Sequence, residues 1–123
     1  MFDHISIGVR EVAKAKAFYD AALKPLGLTC LSADETSLGY GKEAAAFWVN
    51  AAEHPVPGDP KSGLHFCFTA PSRESVAAFH RAAMAHGGRD NGKPGLRKDY
   101  GPHYYAFVHD PDGYRLEAYY GGK

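Results

Sequence analysis

Apolar and polar positions alternate at the start of the chain. In FDHISIGV the side chains of Ile5, Ile7 and Val9 fall on one face and the polar or small residues fall on the other, which is typical of a half-buried strand. The apolar spacing then changes to three and four residues over 12–26 and predicts an amphipathic helix that Gly27 ends. Three short strands, LTCLS, SLGYG and AAFWVN, are predicted to follow.

The same pattern recurs later in the chain. His65 follows His4 at the same offset at which Phe79 follows Phe18. A second strand, LHFCFTA, leads into a helix with Ser72 as its predicted N-cap, and HGGRDNGKPG is predicted to end that helix. Two more strands, HYYAFVH and YRLEAYY, are joined by a DPDG hairpin turn. Self-similarity at a fixed offset indicates two copies of one supersecondary unit.

We therefore predict an α+β fold of two tandem βαβββ modules, which form a curled, cup-like mixed sheet with the helices packed on the outside. Residues 1–123 make a single domain, with module one at about 1–52, a proline- and glycine-rich linker at about 53–62 and module two at about 63–121. The second copy is longer through RDNGKPGLRKDYGPH, and we assign that extra length to a loop.

Composition narrows the function classes. The chain has 14 basic and 14 acidic residues in 123, so charge gives no argument for nucleic acid or an anionic membrane as a partner. The first residues lack the pattern of a signal peptide. Cys30 and Cys67 lack CxxC spacing, which favours a reduced, cytoplasmic protein. We expect its partner to be a small-molecule substrate.

The strongest candidate chemistry is a metal site. His4 and His65 occupy the same point of the two copies, and Glu117 lies on the last predicted strand among apolar neighbours. Two imidazoles and a carboxylate are a recurrent facial set for a divalent metal, which leaves positions open for substrate. Without thiolate ligands, Mn, Fe, Ni, Zn and Co all remain open as the ion.

Other side chains are candidates for handling the substrate. Glu117, Tyr100, His103 and Tyr105 are the candidate catalytic residues, the last three for proton transfer. Arg97, with its neighbours on the inserted loop, is predicted to bind an anionic group of the substrate.

The chain resembles the vicinal oxygen chelate superfamily, which includes glyoxalase I, bleomycin-resistance proteins, fosfomycin-resistance proteins and extradiol dioxygenases. The resemblance spans essentially the whole chain, and its marks are FDHISIGVREVAKAKAFYDAAL at the start and AFVHDPDGYRLEAYY, with DPDG-x-x-x-E, at the end. It implies paired βαβββ modules, often in a homodimer, around a divalent metal. His4, His65 and Glu117 match three of the family's ligand positions.

The fourth ligand position differs. Glyoxalase I has a carboxylate on the last strand of its first module, and here Trp48 occupies that position. This argues against lactoylglutathione lyase activity, which needs a base beside the metal. Trp48 and Tyr119 are instead candidates for binding substrate through their rings. Two functions stay open: a metal-dependent enzyme that acts on a substrate with adjacent oxygens, and a metal-free binding protein of the bleomycin-resistance kind.

Overall fold

Both halves of the molecule have the order strand, helix, strand, strand, strand. The computed structural model describes residues 1–96 and 103–122. Module one consists of β1 (Ile5–Val9), α1 (Val12–Leu23), a short 3-10 helix (Lys24–Leu26), β2 (Thr29–Ala33), β3 (Ser37–Gly41) and β4 (Ala45–Ala51). Module two consists of β5 (Phe66–Thr69), α2 (Arg73–Ala85), β6 (Arg89–Leu96), β7 (Tyr104–His109) and β8 (Arg115–Tyr120).

The described strands form two four-stranded mixed sheets in the orders β1-β4-β3-β2 and β5-β8-β7-β6. In each sheet the first strand of the module runs parallel to the last, and the other pairs are antiparallel. The predicted α+β fold of two tandem βαβββ modules is confirmed. Within the described residues the sheets stay separate and do not close into a barrel, so β1 and β5 are each a free edge.

The two modules share one hydrophobic core. Phe18 and Tyr19 of α1 and Val76 and Phe79 of α2 are fully buried, and the two helices pack against each other and against the sheets. Side chains at alternate positions of β1, β4, β7 and β8 enter the same core. Burying one large apolar side chain contributes about 1.5–3 kcal/mol. Because both modules supply side chains to this one core, neither module has a complete core alone. Neither helix is long and apolar enough to cross a bilayer, among the residues described.

The helix ends follow the local sequence. Ser72 caps α2, since its hydroxyl accepts the N–H of Ser75 at 3.0 Å and the Ser75 hydroxyl accepts the N–H of Ser72 at 3.1 Å. This confirms the predicted N-cap. Gly27 ends the 3-10 helix after α1 with φ 82°, in the left-handed region where glycine has no steric penalty.

One segment differs from its sequence-based assignment. Arg89–Leu96, assigned above to the end of the helix and the inserted loop, is strand β6. Pro94 does not prevent this, because β6 is the edge of its sheet and a proline without an N–H is tolerated there. Two register shifts against β7, between Asp90 and Gly92 and between Gly92 and Gly95, remove the regular alternation that would have revealed a strand.

The DPDG turn joins module two to module one. Asp110 is 2% exposed, and the Tyr19 hydroxyl of α1 donates to its carboxylate at 2.5 Å. Asp112 accepts the backbone N–H of Arg10 at 2.9 Å, and the Tyr114 hydroxyl donates to the carbonyl oxygen of Gly8 at 2.7 Å. These hydrogen bonds from one short turn therefore fix the orientation of the modules.

The hydroxyl of Tyr19 is expected to contribute strongly to stability. Replacing Tyr19 with Phe removes a donor to a buried carboxylate, which should lower the free energy of unfolding by roughly 2–3 kcal/mol in urea denaturation. Tyr40→Phe is the matched control, because its hydroxyl donates at 2.8 Å to the more exposed Asp20. Equal losses in both variants would contradict a special role for the contact between modules.

Asp110 is expected to make stability depend on pH. Burial is the largest cause that raises its pKa from 3.8 to about 6, against the lowering effect of the hydrogen bonds from Tyr19 and the Tyr114 backbone. Between pH 3.8 and about 6, the Asp110 carboxyl is therefore largely protonated in the folded protein and largely ionised in the unfolded chain. This contribution to stability is complete below pH 3.8 and is lost as pH rises through about 6.

The difference in unfolding free energy between wild type and Asp110→Asn isolates this contribution, because other carboxyl groups titrate in both proteins. From about pH 4 to pH 7 the wild type should lose up to roughly 3 kcal/mol relative to the variant. Urea denaturation across that range measures the loss. Parallel curves for the two proteins would be the contrary result.

Candidate functional site

Each sheet has one face in the core and one open face. On module two, the open face carries Cys67 of β5, Glu117 and Tyr119 of β8, and Tyr105 and Phe107 of β7, as the strand registers place them. Their neighbours Leu116, Ala118, Ala106 and Val108 point into the core. Strict alternation therefore places the core residues of these strands on one face and the candidate functional residues on the other.

The centre of this face is a pair between His65 and Glu117. His65 lies just before β5, and its Nε2 is 3.1 Å from Oε1 of Glu117. The Glu117 side chain is only 9% exposed, whereas that of His65 is 44% exposed. Both line a pocket of about 310 Å³. A carboxylate withdrawn from water needs a proton, a cation or hydrogen bonds, and the imidazole supplies one such contact.

Cys67 stands beside Glu117 on the neighbouring strand. Although the residue as a whole is exposed, burial of its thiol raises the pKa to about 12, and the Glu117 carboxylate adds to this shift. The thiol therefore stays protonated at neutral pH. Because the thiolate is the nucleophilic form, the raised pKa disfavours a nucleophilic role for Cys67 at neutral pH.

An aromatic wall extends from the pair along β7 and β8. The rings of Tyr105 and Phe107 are stacked at 6.2 Å with an angle of 2° between their planes. Tyr105 also packs against Tyr119 at 5.2 Å, and the His103 ring meets Tyr119 edge-on at 5.2 Å. The structure thus brings His65, Glu117, Tyr105, Tyr119 and His103 to one face. Arg97 and Tyr100, also predicted for the site, lie outside the described residues.

His4 lies apart from this group. Its Nδ1 is 2.6 Å from Oδ1 of the adjacent Asp3, and half of its side chain is exposed. It belongs to module one and does not line the pocket of His65 and Glu117. Within residues 1–96 and 103–122, no three histidine, cysteine, aspartate or glutamate side chains gather as metal ligands. A single chain therefore brings together two of the three predicted ligands.

Trp48 is the structural counterpart of Glu117. It pairs with Ser6 across β1 and β4, as Glu117 pairs with Cys67 across β5 and β8, and Ser6 and Cys67 are themselves related by the repeat offset that relates His4 to His65. Each residue therefore occupies the centre of the open face of its own module. The indole lies over Gly39 of β3, where a Cβ atom would come within 2.7 Å of its ring. The absence of a side chain at Gly39 thus leaves room for the ring.

Several residues at this site were not predicted from the sequence as site residues. They are Asn91, Phe107 and Arg115, which line the pocket, and Cys67, which pairs with Glu117 on the same face. Alternation from Glu117 predicts the face of Arg115, and alternation from His65 predicts that of Cys67. Phe107 is placed by its pairing with Glu117, which requires the register between strands. Asn91 lies on β6, the strand that the sequence did not reveal.

Comparison with known proteins gives one family. The model of the Glyoxalase/Bleomycin resistance protein/Dioxygenase superfamily matches residues 1–118. No curated protein matches the chain.

Solved structures agree in fold over nearly the full length. A glyoxalase/bleomycin resistance protein from Albidiferax ferrireducens T118 is 33% identical, with a TM-score of 0.86 and 98% of each chain covered. A glyoxalase-related enzyme from Fulvimarina pelagi is 16% identical, with a TM-score of 0.76, covering 98% of this chain and 88% of that one. The fosfomycin resistance protein FosX from Listeria monocytogenes is 16% identical, with a TM-score of 0.72, covering 98% of this chain and 93% of that one. At these lower identities the likeness shows the fold alone.

Gly39→Ala should displace the indole of Trp48. The added methyl would clash with the ring, and such overpacking costs roughly 1–3 kcal/mol. Because Trp48 is the single tryptophan of the chain, a shift of its fluorescence emission reports the displacement directly. Gly95→Ala is the control, since a Cβ there meets nothing within 4 Å among residues 1–96 and 103–122. An unchanged emission spectrum in the Gly39 variant would contradict the contact.

Proposed function

The chain belongs to the Glyoxalase/Bleomycin resistance protein/Dioxygenase superfamily, and on that premise we propose that it is a small metal-dependent enzyme. Its substrate would be a small molecule with adjacent oxygens. The observation that carries the proposal is the pairing of His65 with Glu117 at 3.1 Å in an open pocket. A nearly buried carboxylate beside an imidazole is suited to hold a cation.

The donor set fits a divalent ion of the first transition series. Imidazole and carboxylate ligands suit Mn, Fe, Ni, Zn or Co and do not distinguish among them. Such an ion would supply Lewis acidity toward an oxygen of the substrate.

The other residues of the face would bind and orient the substrate. Tyr105 and Phe107 line the pocket beside Glu117, so their rings would cover the substrate and exclude water. The Tyr105 hydroxyl is 3.5 Å from Nδ1 of His103, and this pair is the candidate for holding a proton near the substrate. Trp48 stands where a second carboxylate would be needed for a lactoylglutathione lyase, which argues against that activity.

A second copy of the chain would complete the ligand set. Catalytic metal sites ordinarily have three protein ligands, and a single described chain gathers two. His4 stands at the start of β1 and His65 at the start of β5, both free edges of open sheets. Exposed apolar side chains flank them: Phe2 is 75% exposed and Leu64 is 42% exposed. A homodimer that places module one of one copy over module two of the other would cover these side chains and bring His4 to the pair.

A metal-free binding protein is the second candidate. The observation that favours it is the parallel arrangement of the Tyr105 and Phe107 rings, whose centroids lie 6.2 Å apart. Such rings offer faces on which an aromatic ligand could stack. In that case His65 and Glu117 would make a structural contact and no metal would bind.

Complementation between two variants tests the enzyme proposal and the shared site together. His4→Ala and His65→Ala chains, each alone, should lose the metal found in the wild type by elemental analysis. Heterodimers of the two, purified through different tags, contain one site with both histidines intact. They should recover about half of the wild-type metal content per chain, because the other site lacks both histidines.

His54→Ala is the control, since His54 lies exposed in the linker between β4 and β5. Heterodimers without metal would contradict the shared site. Wild-type protein that takes up none after reconstitution with Mn, Zn and Ni would exclude the metal-dependent enzyme and leave the binding protein.

A further inference from the structure

We propose that three basic side chains on the open face of module two bind an anionic oxygen group of the substrate, a phosphate-like group or a carboxylate. These residues, Arg89, His109 and Arg115, are called the basic row. The inference rests on the proposed function in one respect, that the substrate occupies the pocket of His65 and Glu117.

The strand register builds the basic row. Arg89 of β6 pairs directly with His109 of β7, and His109 pairs directly with Arg115 of β8. Residues directly opposite in antiparallel strands share a face. Arg115 and Glu117 are two positions apart on β8, so the row lies on the same open face as the candidate metal ligands, one step toward the DPDG turn.

The two arginines lie on either side of His109, so two guanidinium groups border the same stretch of the open face. Among the described residues, no carboxylate lies within ion-pair distance of Arg89 or Arg115. The two nearest acidic side chains in sequence have other partners: Asp90 contacts His80 at 2.9 Å and Glu117 contacts His65.

His109 adds a second observation. Its Nδ1 is enclosed and has no hydrogen-bond partner among the described residues. A buried polar atom without a partner costs roughly 1–3 kcal/mol, so the ring is held in an unfavourable setting. The His109 side chain as a whole is half-buried and lines the recess described below, so its other ring nitrogen is the one that would meet an oxygen of the bound anion.

The surroundings form a recess of defined shape. Arg89 and His109 line a recess of about 440 Å³ together with Gly58 and Pro60 of the linker and with Asp90. The Asp90 carboxylate contacts His80 of α2 at 2.9 Å. Arg115 donates to the carbonyl oxygen of Pro60 at 3.4 Å, and it also lines the pocket of His65 and Glu117. Gly58 approaches the DPDG turn so closely that a Cβ atom would lie 2.8 Å from Cα of Gly113. The linker wall of the recess is therefore held against the turn.

Arg115 lines the pocket of His65 and Glu117 and contacts Pro60, which lines the recess. A substrate whose adjacent oxygens lie at His65 and Glu117 would extend its anionic end toward the basic row. Two guanidinium groups offer paired N–H donors that match the oxygens of a phosphate or a carboxylate. We infer that the substrate class is anionic, with the charged group at the end of the molecule remote from the candidate metal.

The test uses the full chain after removal of metal with a chelator, so that an anion cannot bind through an ion. Inorganic phosphate and acetate are titrated separately at constant ionic strength, and NMR shifts of the His109 ring report binding. Saturable binding is expected, weakened roughly tenfold or more in Arg89→Gln and in Arg115→Gln. Arg81→Gln, which changes an exposed arginine on α2, should bind as the wild type does.

The probe that binds more tightly, phosphate or acetate, identifies the anionic group of the substrate as phosphate-like or as a carboxylate. Absence of saturable binding by both, or equal weakening in the Arg81 variant, would overturn the proposal. Glu117→Gln separates it from the proposed function: that variant should lose metal and keep phosphate or acetate binding. If the wild type binds the anion and no metal, the enzyme proposal fails and the basic row stands.

Discussion

A buried carboxylate determines how the two modules sit together. Asp110 is almost completely enclosed and accepts the Tyr19 hydroxyl from the other module at 2.5 Å. Withdrawing a carboxylate from water is unfavourable unless hydrogen bonds replace the water, so the DPDG turn is bound to a single position relative to α1. The contacts of Asp112 with Arg10 and of Tyr114 with Gly8 hold the same position.

That constraint determines which surfaces remain open. With the helices and one face of each sheet committed to the shared core, the other faces stay uncovered in a single chain. The face of module two has a carboxylate, an imidazole and stacked rings, and the face of module one has an indole lying on a glycine. The two copies of the repeat thus have different open faces, and most of the candidate functional residues lie on the face of the second module.

The sequence was sufficient for the architecture because two signals agreed. The alternation in β1 and β8 and the fixed offset between the two copies each predicted βαβββ modules, and the offset also related His4 to His65. The sequence did not predict β6, because the glycines, the proline and the register shifts of this strand hide its alternation. It also could not predict Phe107 or the basic row, because such neighbours depend on register between strands. The separation of His4 from Glu117 follows from how the modules pack, which periodicity within a module does not encode.

The composition of β6 has a further consequence. An exposed strand edge offers unpaired N–H and C=O groups to any other chain, which is a common origin of aggregation. Pro94 lacks an N–H, and the shifts around Gly92 and Gly95 interrupt the regular spacing that an incoming strand needs. The irregularity that conceals this strand in the sequence therefore also makes the outer edge of module two a poor template for edge-to-edge pairing with another chain.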